Sequence, residues 1–372
     1  MSRKIVQIMD DIFETLKSFI SDDDSYRIEN AVRHIRAEGD EAPVCDFVKH
    51  AKMKIESRNK WTICLFDHNE NLYLLVPSSY ESALDEIGLR LVSDSSVIQG
   101  AGMLAIAKKA LPLRNEVTSI VIIERCLGIM PENGDRNIVF EFSDIRNLFA
   151  SYSVYLVDSS IFQLVYEEDL NRLFCYLFAK NSQVLSLSAK ERIKSISLLL
   201  SSRSIAGSLL NSLNSFHSSL VEYAFLQLYQ CIEYLFRLNS SFLISEKHNI
   251  SLETAIDIVV DNEFKISELD NLYSVLKNNV SEAIIDTLVS IIPHEERQTD
   301  KWQSSCKYIY KLRCNIAHLR YNQEEISDIR WNQCFEVILD IIFSIYTKCD
   351  LDIKKICLSK TMWRPFTIDM KG

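Results

Sequence analysis

The sequence predicts an α+β amino-terminal domain over residues 1–185, an all-α helical bundle over 200–350 and a carboxy-terminal tail over 351–372. Three observations predict this. A length of 372 residues exceeds one typical domain. Only 8 glycines and 6 prolines leave little room for a turn-dense β-sandwich and favour helix. Strand-like patterns are confined to the first half and nearly vanish after about residue 219.

Residues 4–20 carry Ile5, Ile8, Met9, Ile12, Leu16 and Ile20 at helical spacing, which predicts a first amphipathic helix. The acidic run Asp22, Asp23 and Asp24 caps it or separates it from a second helix near 25–37. From Trp61 the period changes. TICLF and LYLLV flank DHNEN, whose Asp, Asn and His suit a turn, so a β-hairpin is expected. SIVIIERC (119–126), NIVFEF (137–142) and VYLVD (154–158) read as further buried strands, with helices near 80–91, 102–111 and 168–180. Gly100 and Gly102, in QGAGMLAIAKKAL, could open a helix toward phosphate, but the Gly-Lys-Ser/Thr ending of a P-loop is absent.

Around 182–219 the composition shifts toward serine, as a linker or as the loop between two helices. Beyond it FLQLYQCIEYLF, SLETAIDIVVD, ISELDNLYSVLK, VSEAIIDTLVSII, the stretch near 301–319 and SDIRWNQCFEVILDIIFSIY all read as helices. In the last, Cys334, Ile338, Ile341 and Ile345 recur at three- and four-residue steps, as one buried stripe should. Pro293 and HEERQTD break the chain before the helix that matters most.

Composition excludes some functions. A net charge of -10 and a pI near 5.3 argue against broad coating of duplex nucleic acid, though not against a small basic site. The ten cysteines include no C-x-x-C pair, so zinc knuckles and thioredoxin-like redox motifs are unsupported, and neither a metal nor a cofactor is expected. The amino terminus lacks a signal-peptide apolar core, and no run approaches the ~18 apolar residues of a membrane span. A cytoplasmic protein with reduced cysteines and no membrane partner is expected.

Residues 301–321, KWQSSCKYIYKLRCNIAHLRY, reverse the local charge. Lys301, Lys307, Lys311, Arg313 and Arg320 are basic and none is acidic, so a phosphate-bearing ligand would be drawn here. At about 100° per residue Tyr308, Leu312, Ile316 and Leu319 form a core face. Opposite them Cys314 and Ala317 make a strip of small residues, bordered by Arg313 on one flank and His318 on the other. Such a strip lets a second helix approach closely; if that helix comes from a second copy, two Arg-His pairs gather around a two-fold axis. On one isolated helix Arg313 and His318 diverge by roughly 140°.

The spacing Arg313-x4-His318, in IYKLRCNIAH, resembles the R-x4-6-H motif of the HEPN superfamily. LYQCIEYLF, with Glu233 inside an apolar run, resembles the first long helix of such domains. The resemblance covers roughly 200–350. It implies a bundle of four or five helices, a homodimer and metal-independent endoribonuclease activity of the defence or toxin kind. Many members carry a polar residue directly after the arginine, where this chain has Cys314, with Asn315 one place later. A second match, Arg27-x6-His34, lacks a comparable helical surrounding.

The chemistry suits these residue types. The 2′-hydroxyl of RNA is an internal nucleophile beside its phosphate. Histidine suits the proton transfers, and the planar, permanently charged donors of arginine suit the phosphorane. Asn315 could orient the imidazole, and Lys311, Lys307 and Arg320 could line the RNA path. The expected products end in a 2′,3′-cyclic phosphate and a 5′-hydroxyl. The amino-terminal domain would then meet an activating or inhibitory partner. Blander readings stand beside these: His318 as a helix-end cation, Arg313 as an ion-pair partner for Glu233, Lys311 on a solvated face, and the whole as a non-catalytic nucleotide-binding or dimerisation module.

Overall fold

A computed structural model describes residues 3–58, 61–77, 89–129, 137–158, 167–251, 254–255, 258, 267–318 and 330–357. The chain divides into two compact units, Met1–Gln163 and Leu164–Gly372.

The first unit is α+β. Helix α1 (Arg3–Lys17) buries Ile5, Ile8, Met9, Ile12 and Leu16 of the stripe expected from its spacing; the last expected member, Ile20, lies past the helix end and is half-buried. The expected second helix near 25–37 is not one. A 3₁₀ turn covers Asp22–Arg27, and Val32–Arg36 form strand β1, paired in parallel with β6 (Asn137–Glu141). The strand period was hidden because one inward-facing position is an arginine. Arg33 is buried and donates to the carbonyls of Glu29 (2.8 Å), Ala31 (3.1 Å), Cys126 (3.2 Å) and Leu127 (2.6 Å). Burial pulls its pKa down, partly opposed by Cys126 and Glu29.

The expected hairpin is present as β3 (Trp61–His68) and β4 (Asn71–Pro77), with Asn69 and Glu70 at positive φ in the turn. It lies in a five-stranded antiparallel sheet of order β2-β3-β4-β7-β5, with β2 Lys52–Arg58, β5 Leu89–Leu91 and β7 Tyr152–Val157. Strand β2, KMKIESR, escaped sequence reading because it is an edge strand whose charges suit a solvated rim. Residues 89–91, expected at a helix end, pair with β7; residues 80–88 of that expected helix lie outside the described residues.

SIVIIERC is helical rather than extended: α4 (Ser119–Ile122) runs into a π-helical turn over Ile123–Leu127. Ile122, Ile123, Cys126 and Leu127 are buried, a helical spacing that a β-branched run disguises as a strand. Helices α2 (Glu41–His50) and α3 (Ser95–Ala107) pack against each other and α1, and the short α5 (Phe142–Arg146) follows β6. Gly100 and Gly102 lie inside α3, not at its start. A Cβ at Gly102 would come within 1.9 Å of Tyr152 Oη, and one at Gly100 within 2.8 Å of Phe47 Cδ1. These glycines admit neighbouring aromatic rings, and the phosphate reading fails.

The second unit is helical throughout its described residues and begins earlier than expected. Helix α6 (Glu167–Asn181) belongs to it, and the serine-rich stretch holds α7 (Leu187–Leu198), a 3₁₀ turn (Leu200–Ile205) and α8 (Ala206–His217). A buried charge cluster ties these together: Asp169, with no exposed surface, accepts from Arg172 at 2.6 Å and from Arg203 at 2.9 and 2.7 Å. Then come α9 (Val221–His248), α10 (Glu268–Asn279), α11 (Glu282–Ile291), α12 (Lys301–Ala317) and α13 (Trp331–Cys357). Of SLETAIDIVVD only Ser251, Thr254, Ala255 and Ile258 are described, the last three helical. The bundle has more helices than the four or five implied by the resemblance, and α13 overruns the expected tail boundary at 351. Its stripe Cys334, Ile338, Ile341 and Ile345 is buried as expected. Helix α9 is the hub, touching α8, α10, α12 and α13.

No helix among the described residues is long and apolar enough to cross a membrane. Cys45, Cys64, Cys126, Cys175, Cys231, Cys306, Cys314 and Cys334 are free thiols.

Candidate functional site

Helix α12 starts at Asp300, whose side chain accepts from the Trp302 amide at 2.8 Å, a standard N-cap. Tyr308, Leu312 and Ile316 are buried, as the helical wheel predicted; Leu319, the fourth member of that face, lies outside the described residues. The opposite face leaves Ala317 exposed and Cys314 half-buried. The regular helix stops at Ala317. His318 is the capping residue, its amide donating to the Cys314 carbonyl at 3.1 Å, with an exposed side chain that makes no hydrogen bond among the described residues. The bland reading of a histidine at a helix C-terminus therefore describes its position well.

Arg313 is the centre of a four-residue cluster. Its Nη2 lies 3.3 Å from Glu233 Oε1 of α9, and its Nε lies 3.3 Å from Glu268 Oε1 at the start of α10. Glu268 Oε1 also accepts from the Tyr229 hydroxyl at 2.9 Å, and the guanidinium lies 5.9 Å from the centre of the Tyr229 ring. Glu233 and Tyr229 share a face of α9 because they stand four residues apart. Helix α10 is started by Ser267, whose hydroxyl accepts from the Asp270 amide at 3.1 Å, which fixes Glu268 in the first turn.

The electrostatics follow from crowding two carboxylates around one cation. Burial, and then a hydrogen bond with Glu268, push the Glu233 carboxyl up to about 7 against the pull of Arg313. Burial and Glu268 also push the Tyr229 phenol up, so it stays a donor. Burial alone would lower the Arg313 guanidinium, but Glu268 and Glu233 outweigh it and raise it.

The basic surplus of 301–321 is smaller in three dimensions than along the sequence. Lys301 pairs with Glu282 at 3.0 Å and Asp286 at 2.9 Å, and Lys311 with Glu296 at 2.7 Å. With Arg313 included, three of the five cations meet acids from neighbouring segments. Lys307 is exposed, Asn315 is half-buried, and Arg320 lies outside the described residues. The structure thus joins Arg313 to Glu233, and leaves His318 and Lys311 outside that cluster. Sequence reading missed Glu268 and Tyr229. The four-residue step from Tyr229 to Glu233 was available as a signal; Glu268 had none, because its approach depends on how α10 docks.

The alternative pair also resolves. Arg27 lies in a 3₁₀ turn, 3.9 Å from Asp24, and His34 lies in strand β1, so the two share no helix. The run Asp22–Asp24 is the start of that turn, and no cluster of metal-ligating side chains occurs among the described residues. Comparison with protein-family models, curated proteins and solved structures finds no match to this chain.

Proposed function

We propose that the second unit is a HEPN-like endoribonuclease that cleaves RNA without metal, with Arg313 and His318 as its active pair. The observation that carries this reading is that both motif residues reach solvent near the end of one helix, beside an exposed small residue, Ala317. Arg313 would bind the non-bridging phosphate oxygens, its planar donors charged throughout. His318 would serve proton transfer in the reaction, with Asn315 beside it. Docking of two α12 helices along Cys314 and Ala317 would bring two such pairs together in a homodimer. The first unit would hold the nuclease in check until a partner engages it, as in a defence or toxin effector.

A second reading has its own support. Arg313 already meets two carboxylates, and Lys301 and Lys311 are paired. A bundle stabilised in this way suits a non-catalytic nucleotide-binding or dimerisation module equally.

Induced expression separates the two. The ribonuclease arrests growth and degrades cellular RNA, and Arg313→Ala or His318→Ala relieves both while the purified variants keep their oligomeric state. Growth and intact RNA under wild-type expression, with nucleotide retained by the purified protein, would favour the binding module.

A further inference from the structure

Helical geometry sets a problem for a mechanism that uses His318 alone. Five residues along α12, His318 stands about 7.5 Å further up the axis and roughly 140° around from Arg313. The 2′-hydroxyl to be deprotonated lies next to the phosphate that Arg313 would grip, so its base must stand beside the guanidinium. Glu233 does: its Oε1 is 3.3 Å from Arg313 Nη2. The side chains of Glu233, Arg313 and Glu268 are 29%, 28% and 28% exposed, open enough for a phosphodiester to reach.

We propose that Glu233 is the general base of the ribonuclease and that Glu268 is the positioning residue that tunes it and orients Arg313. This rests on the ribonuclease reading above. In the step, the 2′-oxygen forms a bond to phosphorus while the bond from phosphorus to the 5′-oxygen breaks. The 2′-hydroxyl proton passes to the Glu233 carboxylate, and the proton of the His318 imidazolium of the second copy in the proposed homodimer passes to the leaving 5′-oxygen. Arg313 keeps its charge and hydrogen-bonds the non-bridging oxygens. Afterwards Glu233 returns its proton to water and His318 takes one up, so no other reactant is needed.

The surroundings of Glu233 suit the role. From α10 it faces Glu268, from α12 Arg313, and from its own helix Tyr229. A carboxyl raised by burial and by Glu268 to about 7 is, once ionised, a stronger base than an ordinary carboxylate. Glu268 is itself anchored, accepting from Tyr229 Oη and from Arg313 Nε through one oxygen.

The test is a pH–rate profile for cleavage of an end-labelled RNA oligonucleotide by the full-length protein, with Glu233→Gln, Glu268→Gln, Arg313→Ala and His318→Ala beside wild type. Wild type should lose activity as pH falls through about 7. Glu233→Gln should lower kcat by about 100-fold or more with little change in KM, and lose that acid limb. Glu268→Gln should lower kcat less than Glu233→Gln does and move the limb to lower pH, because it removes a like charge and the partner holding the proton. Thermal midpoints of both Gln variants check folding; if Glu233→Gln does not fold, the limb in Glu268→Gln decides, and an unmoved limb overturns the proposal. Glu233→Gln cleaving at nearly the wild-type rate, while Arg313→Ala is inactive, overturns the general-base role alone. No cleavage by wild type overturns the ribonuclease reading together with it.

Discussion

Gly102→Ala puts two opposing effects in competition, and the structure says which prevails. Replacing a glycine inside a helix gains about 1 kcal/mol from propensity. At Gly102 the new Cβ would lie 1.9 Å from Tyr152 Oη, 2.6 Å from Tyr152 Cζ and 3.0 Å from Phe142 Cζ. Tyr152 is buried, and its hydroxyl donates to the Ile98 carbonyl at 3.1 Å. Relieving the overlap costs about 1–3 kcal/mol in repacking. Leaving the hydroxyl buried without its acceptor costs about 1–3 kcal/mol more. The net is a loss of roughly 1–5 kcal/mol, and at about 3 °C per kcal/mol for a unit of this size the melting transition should fall by several degrees. Calorimetry on the full-length chain measures it. Gly207→Ala is the control: only Asn171 Nδ2, at 3.7 Å, lies near its Cβ, so stability should hold or rise by up to about 1 kcal/mol. A Gly102→Ala protein as stable as wild type would refute the close-packing argument.

Other expectations follow from the second unit. Asp169→Ala removes three short charge-assisted hydrogen bonds from a buried cluster and should cost about 3–5 kcal/mol in denaturant titration; a loss under 1 kcal/mol would contradict the assigned contacts. The Glu233 carboxyl is raised on folding from an ordinary 4.5 to about 7. Its contribution is therefore fully present below pH 4.5 and lost as pH rises through 7, and Glu233→Gln should remove that slope from stability measured between those limits. An unchanged slope would show that Glu233 titrates normally. His318→Ala touches an exposed side chain and should leave the melting temperature within the effect of about 0.5 kcal/mol, so a large drop would mark a structural histidine.

Sequence patterns were most legible where apolar periodicity was clean. The stripes of α1 and α13 and the β3–β4 hairpin are all where spacing put them. Elements were lost where the inward face carried polarity or where β-branched residues misled. Arg33 hid strand β1, and the Ile-rich run of α4 imitated a strand. The division between units was placed too late because serine-rich helices resemble a linker when their core contacts are unseen.

At the candidate site, a single helix could be rotated on paper to find its core face. Its neighbours could not be. The Arg313–Glu233 pair was anticipated from the isolation of an acid in an apolar run, whereas Glu268 and the acids opposite Lys301 and Lys311 come from other segments. A charge excess along the chain is thus not a charge excess on the surface.

The most direct measurement is end-group analysis of total cellular RNA incubated with purified protein in EDTA, wild type beside His318→Ala. The account predicts new 5′-hydroxyl and 2′,3′-cyclic phosphate ends with wild type and none with the variant. Intact RNA in both reactions, or identical fragments from both, would contradict it.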